Sequence, residues 1–262
     1  MEDLTDRVAV ITGGGSGIGR ATALALAGAG VRVVVTDIDP DRAELVASEI
    51  GSQALGRRCD VTSDSDMVSL RQEALDEFGR VDIVMNNVGV LVAGLPENIP
   101  ITAWQRLIDI NLVSVARSIS LFLPDLLARG SGHIVNTAST AGLYAYSFER
   151  LPYSATKGAI VALSEALALY ARPRGIGVTV LCPGPVATNI AEQVQVYGEL
   201  QGLRGPGLPV LNPAVVGKQV VDAIRNNIFF LPTHQEVHDL LVQRATDPEG
   251  FLARQIETMC KE

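Results

Sequence analysis

The chain predicts a doubly wound parallel α/β sheet of about seven strands, in three layers with helices on both faces. Three observations lead there. Short β-branched runs alternate with longer helical runs along most of the chain, the pattern of parallel strands joined by helical crossovers. The first such run passes directly into a glycine-rich turn and then a helix. The 262 residues, 47% of them hydrophobic, suit one large core better than two. Residues 1–262 are therefore expected to form a single domain.

Each element has its own signal. Residues 7–12 read as the first strand, with the turn and a helix to about residue 29 behind it. Residues 32–36 form the second strand, 40–50 a helix, and 54–59 the third strand. Ser63, with Asp66 three residues later, marks a helix start, and that helix runs to Phe78. Residues 81–85 are the fourth strand, 102–128 a long helix, and 134–138 the fifth strand. A helix over 151–171, a strand over 178–181, a helix over 214–226 and a strand over 228–231 complete the alternation. The pattern breaks at about 186–213, a stretch rich in glycine and proline. A long irregular segment in a compact fold is more often a lid or binding loop than filler. Residues 235–262 read as a C-terminal helical extension.

Composition removes several classes of function. The formal net charge of −8 argues against a nucleic-acid partner, because phosphate binding wants a basic face. Cys59, Cys182 and Cys260 are scattered and odd in number, which fits a reducing compartment without a disulfide framework or a metal site. The acidic, polar N-terminus does not resemble a signal peptide. The long uncharged stretch 175–191 holds Pro183 and Pro185 and reads as strand and loop rather than a membrane span. A cytoplasmic protein without a membrane partner is expected.

Chemistry first shows in the turn after strand one. Gly13, Gly17 and Gly19 follow the spacing Gly-x3-Gly-x-Gly. Glycine lets backbone approach a pyrophosphate, and the following helix offers free N–H groups and the positive end of its dipole. Asp37 follows the second strand, where a carboxylate can accept from both ribose hydroxyls of NAD and repel a 2′-phosphate. Ile38, Asp39 and Pro40 place no base beside it in sequence, and Ser16 occupies a turn position where a base would favour NADP. Asp60, after strand three, can accept from an adenine amino group, and Asn87-Val-Gly89 falls at the carboxyl edge after strand four.

Tyr153 and Lys157 stand four residues apart on an expected helix, so both side chains can reach one reacting centre. Moving a tyrosine from about 10 to about 7 takes roughly 4 kcal/mol. A positive charge about 4 Å away, at an effective dielectric near 20, supplies roughly that much. Ser139 lies fourteen residues upstream of Tyr153.

Together these pieces resemble the short-chain dehydrogenase/reductase family, whose members share the Rossmann fold. The resemblance runs from Arg7 to about Thr188. It rests on the Thr-Gly-x3-Gly-x-Gly turn, Asp60-Val61, Asn86-Asn-Val-Gly89, Asn111, Ser139, Tyr153-x3-Lys157 and Pro183-Gly184. Val88 departs from it, since the family usually has alanine there. The resemblance implies a catalytic set of Asn111, Ser139, Tyr153 and Lys157. Tyr153 would exchange a proton with the substrate oxygen and Ser139 would hydrogen-bond that oxygen. Lys157 would lower the tyrosine pKa and grip the nicotinamide ribose, and Asn111 would hold a relay water. The implied cofactor contacts begin with Gly13, Ser16, Gly17, Ile18 and Gly19 around the turn. They continue with Asp37 and Ile38, then Asp60 and Val61, then Asn87 and Gly89. Pro183, Gly184, Val186 and Thr188 lie beyond the sixth strand.

These features point to an NAD-dependent enzyme interconverting a secondary alcohol and a ketone. The runner-up is an NADP-linked 3-oxoacyl carrier-protein reductase; a non-catalytic dinucleotide sensor of the same fold is the third reading. The substrate pocket is expected around Leu91, Leu143, Tyr144, Tyr146 and Phe148. No basic cluster is evident in those segments, so a hydrophobic or bulky small molecule is expected. The long helix and the 151–171 helix imply, by resemblance, a homo-oligomer, either dimer or tetramer. Four signals are discounted. His234 and His238 read as a helix surface rather than a metal site, because Gln235 stands where a zinc-protease motif needs glutamate. His133 reads as a surface turn, Trp104 as packing of the long helix, and Arg129, Arg172 and Arg174 as solvated helix-end charges.

Overall fold

The computed structural model describes residues 1–260 apart from 201 and 203, with backbone alone at 191 and 192. The expected loop over 186–213 includes 201 and 203, and the expected extension over 235–262 includes 261 and 262; those four positions lie outside the described residues. The first half alternates β1 (Val8–Thr12), α1 (Gly17–Gly28), β2 (Arg32–Asp37), α2 (Pro40–Ile50), β3 (Ala54–Arg58), α3 (Asp64–Phe78) and β4 (Ile83–Asn86). A short β5 (Val92–Gly94) precedes α4 (Ile101–Ile108), a π-helical turn (Asp109–Val113) and α5 (Ser114–Arg129). Then come β6 (Gly132–Thr137), α6 (Leu151–Ala171), β7 (Ile176–Cys182), β8 (Gln195–Tyr197), α7 (Pro213–Arg225) and β9 (Phe230–Pro232). Helices α8 (Glu236–Thr246) and α9 (Pro248–Cys260) end the chain.

Seven strands make one parallel sheet in the order β3-β2-β1-β4-β6-β7-β9. The period-two alternation of β2 explains how both faces become core. Val33 and Val35 pack into one cluster with Leu26, Val220 and Ile224, whereas Val34 joins Met67, Leu70 and Phe122 on the opposite side. Helices α1 and α7 therefore lie on one face and α3 and α5 on the other. Strand order reverses at β1, between β2 and β4, which opens a crevice at the carboxyl ends of the strands.

Helix starts are set locally. Ser63 Oγ accepts from Asp66 N–H at 3.2 Å and donates to its carboxylate at 2.9 Å. Asp39 caps α2 ahead of Pro40, and Asn212 caps α7 ahead of Pro213. Helix α1 differs: Ser16 makes no side-chain cap.

The structure departs from the sequence expectation in four places. The long helix is broken by the π-helical turn that carries Asn111, although 101–129 remains one helical run, apolar enough by length and composition to cross a membrane. Its Leu107, Phe122 and Leu126 are buried in the core. Strands β5 and β8, three residues each, form an unexpected second parallel sheet. His133 is no surface turn. It lies inside β6, is 1% exposed, and its Nε2 meets Thr179 Oγ1 at 2.8 Å. His234 is buried ahead of α8, between Thr233 Oγ1 and the Pro209 carbonyl, so it shares no helix surface with His238.

Candidate active site

A cavity of about 710 Å³ occupies the crevice. Its cofactor end is built by the turn after β1. Gly13 and Gly17 have φ of +63° and +52°, the left-handed region where a side chain would strain the backbone. A Cβ on Gly19 would fall 2.2 Å from the Gly13 carbonyl oxygen, so only glycine allows α1 to begin this close to the turn. The uncapped first turn of α1 keeps its N–H groups for a ligand. Asp37 ends β2 and accepts from Gly15 N–H and Asp39 N–H, both at 3.2 Å. Asp60 is held by Thr62, whose N–H and hydroxyl donate to Oδ1 at 2.9 and 2.7 Å. Asn87 Nδ2 donates to the Gly13 carbonyl at 3.1 Å, stitching the β4 loop to the turn. Backbone room, free amides and acceptor carboxylates fit a dinucleotide.

The other end gathers Ser139, Tyr153 and Lys157, all lining the cavity and nearly buried. Helix α6 places tyrosine and lysine one turn apart. Lys157 Nζ donates to the Thr137 carbonyl at 2.8 Å and lies 5.7 Å from the centroid of the Tyr153 ring. Ser139 follows β6; its Oγ accepts from Ala141 N–H at 3.2 Å and spends only a long 3.5 Å bond on Pro183. Burial pushes the Tyr153 phenol up to about 12, opposed by hydrogen bonding with Ser139 and by the Arg150 guanidinium. Burial also pulls Lys157 down to about 8. Desolvation penalises both charged forms and so works against the lowering of the tyrosine by lysine that the resemblance implies.

Asn111 stands just behind this cluster. Its Oδ1 accepts from Val90 N–H at 2.9 Å, and Nδ2 donates to the Val90 carbonyl at 3.0 Å and to Thr156 Oγ1 at 3.3 Å. Gly89 separates it from the lysine: a Cβ there would sit 3.1 Å from Lys157 Nζ and 3.8 Å from Asn111 Oδ1.

The remaining expected cofactor residues, Ser16, Ile18, Ile38, Val61, Pro183, Gly184, Val186 and Thr188, also line the cavity. Gly19 acts only by letting the turn close. Of the expected substrate residues, Leu91 and Tyr146 reach the cavity and Leu143, Tyr144 and Phe148 do not. Tyr144 is packed edge-on against Phe251 of α9, Arg244 of α8 binds the Leu143 carbonyl, and Phe148 points outward. The C-terminal helices claim the Tyr144 ring and the Leu143 carbonyl, contacts that no local signal reveals.

Several wall residues escaped the sequence reading. Arg42 on α2 lines the cavity beside Asp37, with its Nε on Asp39 at 3.2 Å. It follows Asp37 closely in sequence, and the first turn of α2 brings it back beside the carboxylate. Arg106 and Arg150 also line the wall, from outside the segments in which no basic cluster was evident. Ile190 and Gln193 come from the irregular segment after β7.

An acceptor carboxylate and free helix amides at one end of a crevice, with a buried tyrosine–lysine pair at the other, define a dinucleotide-dependent oxidoreductase class. The sequence profile described as short chain dehydrogenase matches residues 7–196, and the chain belongs to that family. Cyclohexanol dehydrogenase of Acinetobacter sp. (strain SE19) is 38% identical over 72% of this chain and 77% of its own length. Glycine betaine reductase ATRR of Emericella nidulans is 31% identical over 94% of this chain, which spans only 19% of that longer protein. Among solved structures, a short chain dehydrogenase/reductase from Burkholderia phymatum in complex with NAD superposes with a TM-score of 0.85 at 30% identity, covering 95% of this chain and 96% of that one.

Proposed function

We propose that this oxidoreductase uses NAD to interconvert a secondary alcohol and a ketone on a hydrophobic or bulky substrate, with Tyr153 as general acid and base. The observation that carries this reading is the single cavity running from the uncapped α1 amides and Asp37 to Ser139, Tyr153 and Lys157. A bound nicotinamide supplies the hydride acceptor for oxidation and the hydride donor for reduction. The chain supplies the rest. In oxidation, Tyr153 Oη takes the proton of the substrate hydroxyl. Ser139 Oγ donates to the same oxygen and steadies the charge that develops there. The Lys157 ammonium, with an oxidised ring nearby, favours the phenolate that burial alone opposes. Asn111 serves a water relay behind Lys157, and reduction reverses each step.

Asp37 favours NAD, because its carboxylate can accept from ribose hydroxyls and repels a 2′-phosphate. The similarity to a cyclohexanol dehydrogenase supports an alicyclic or comparably bulky alcohol. The enzyme is read as a cytoplasmic dimer or tetramer, with Val113, Leu169 and Tyr170 among the outward apolar side chains available for pairing. Arg42 favours a second reading, an NADP-linked 3-oxoacyl carrier-protein reductase, since it is a base lining the cavity near the ribose end.

NADH formation across a panel of secondary alcohols tests the first reading. Tyr153→Phe should lower kcat with an active alcohol by about a thousandfold. Full turnover by that variant would refute the mechanism, and tighter binding of NADPH than NADH would favour the second reading.

A further inference from the structure

Arg150 lines the cavity close to the reacting centre, and the proposed chemistry leaves its charge unused. It is the N-cap of α6, three residues before Tyr153, and makes no side-chain cap. Its Nη2 donates to the Arg204 carbonyl at 2.7 Å, and its guanidinium lies 5.3 Å from the centroid of the Tyr146 ring. Its Nε is buried and has no hydrogen-bond partner. No carboxylate among the described residues forms an ion pair with it. Asp37 and Asp60 belong to the cofactor end, and Asp109, also on the wall, faces Arg117 at 3.8 Å.

Anchoring the irregular segment is an insufficient role for this side chain. The same segment is already held by Glu149, whose Oε1 accepts from Gly202 N–H at 3.2 Å. A carbonyl needs one neutral donor, and a guanidinium brings a charge and a second edge of N–H groups. On the wall of this crevice a half-buried guanidinium without an ion-pair partner disfavours a wholly apolar occupant. A planar carboxylate matches the remaining guanidinium edge. A phosphate dianion would want further cations, and the other arginine on this part of the wall, Arg106, is exposed and bonded to Gln195 Oε1 at 3.0 Å.

We infer that Arg150 receives a carboxylate of the substrate, so that the preferred substrates are hydroxy acids and oxo acids with an apolar body. This inference rests on the alcohol–ketone reading of the same site. Arg150 acts as a specificity-determining residue, holding the far end of the substrate while its carbinol carbon faces Ser139 and Tyr153.

The test compares cyclohexanol and its hydroxymethyl derivatives with the matched 3- and 4-hydroxycyclohexanecarboxylates, following NADH formation. For at least one acid, kcat/KM should exceed that of its neutral partner by about tenfold or more. Arg150→Gln, which keeps a donor for the Arg204 carbonyl but removes the charge, should lower that acid-to-neutral ratio by about 30-fold. Arg150→Lys should retain part of it. A ratio is read because simple loosening of the segment would lower both substrates together. The idea is overturned by a wild-type ratio at or below one for every acid, or by a ratio unchanged in Arg150→Gln.

A second measurement needs no turnover: quenching of enzyme-bound NADH fluorescence by cyclohexanecarboxylate, which carries the acid and an apolar body but no reducible carbonyl. Saturable quenching that weakens about tenfold in Arg150→Gln supports the inference. Absence of saturation, or equal affinity in the variant, sinks it. If neither alcohol series reduces NAD, the alcohol–ketone reading fails while this binding measurement still decides the role of Arg150.

Discussion

At the residue scale, Asp37 carries two loads. Its carboxylate holds Gly15 N–H and Asp39 N–H, and it faces the place a ribose would take. Removing it costs charge-assisted hydrogen bonds worth roughly 1.5–3 kcal/mol each. Asp37→Ala is expected to weaken NADH binding at least tenfold. It should also raise NADPH affinity relative to NADH, because the repulsion of a 2′-phosphate goes and Arg42 remains. Fluorescence titration with both cofactors checks this; an equal loss for the two would assign Asp37 to holding the turn alone. Tyr153 and Lys157 show where a sequence argument at this scale ends. Their i, i+4 spacing places them together, but the energy of the pair depends on burial, which holds the phenol near 12 and the ammonium near 8. Arg150 makes the same point. It stands three positions before Tyr153 in plain view, and only its side-chain direction, set by Tyr146 and Arg204, makes it part of the wall.

At the element scale, α6 is positioned by a close backbone contact. A Cβ on Gly142 would lie 2.4 Å from the Lys157 carbonyl carbon and 2.6 Å from Gly158 N, so the short turn after Ser139 sits directly on the helix carrying Lys157. Both halves of the proton-transfer set are therefore held by one contact. Gly142→Ala must push α6 away, at a cost of about 1–3 kcal/mol typical of overpacking. The expected result is a lower urea midpoint and a drop in kcat larger than the rise in KM. An unchanged midpoint would mean the helix shifts without resistance. The π-helical turn shows the limit of periodicity: residues 102–128 read as one helix because the apolar positions nearly keep step. The turn within it sits where Asn111 bonds the Val90 backbone. The cap at Ser63 with Asp66 was more legible, since it acts through neighbours in sequence.

For the whole molecule, His133 ties stability to pH. Burial, then the N-terminal ammonium and Arg172, lower its pKa from 6.5 to about 3. The folded state keeps it neutral while the unfolded chain binds a proton. This contribution is fully present above about pH 6.5 and is lost as pH falls from there toward about 3. Its full size is on the order of 4–5 kcal/mol. Urea unfolding at pH 7 and pH 4 should show wild type losing more stability on acidification than His133→Asn. Equal losses would show that carboxylates alone set the acid limit. A polar residue flanked by Gly132 reads as a turn until β4 and β7 enclose it on either side. By itself the sequence determined the parallel αβ alternation, the glycine turn and the pairing of Tyr153 with Lys157, because each is written in short spacings that local backbone geometry converts directly into position. The tertiary structure alone decided which side chains form the substrate wall. Leu143, Tyr144 and Phe148 went to the C-terminal helices or outward, Arg42, Arg106 and Arg150 came to the cavity, and His133 was buried. Those outcomes depend on contacts between segments far apart in the chain, where burial and side-chain direction outweigh local pattern.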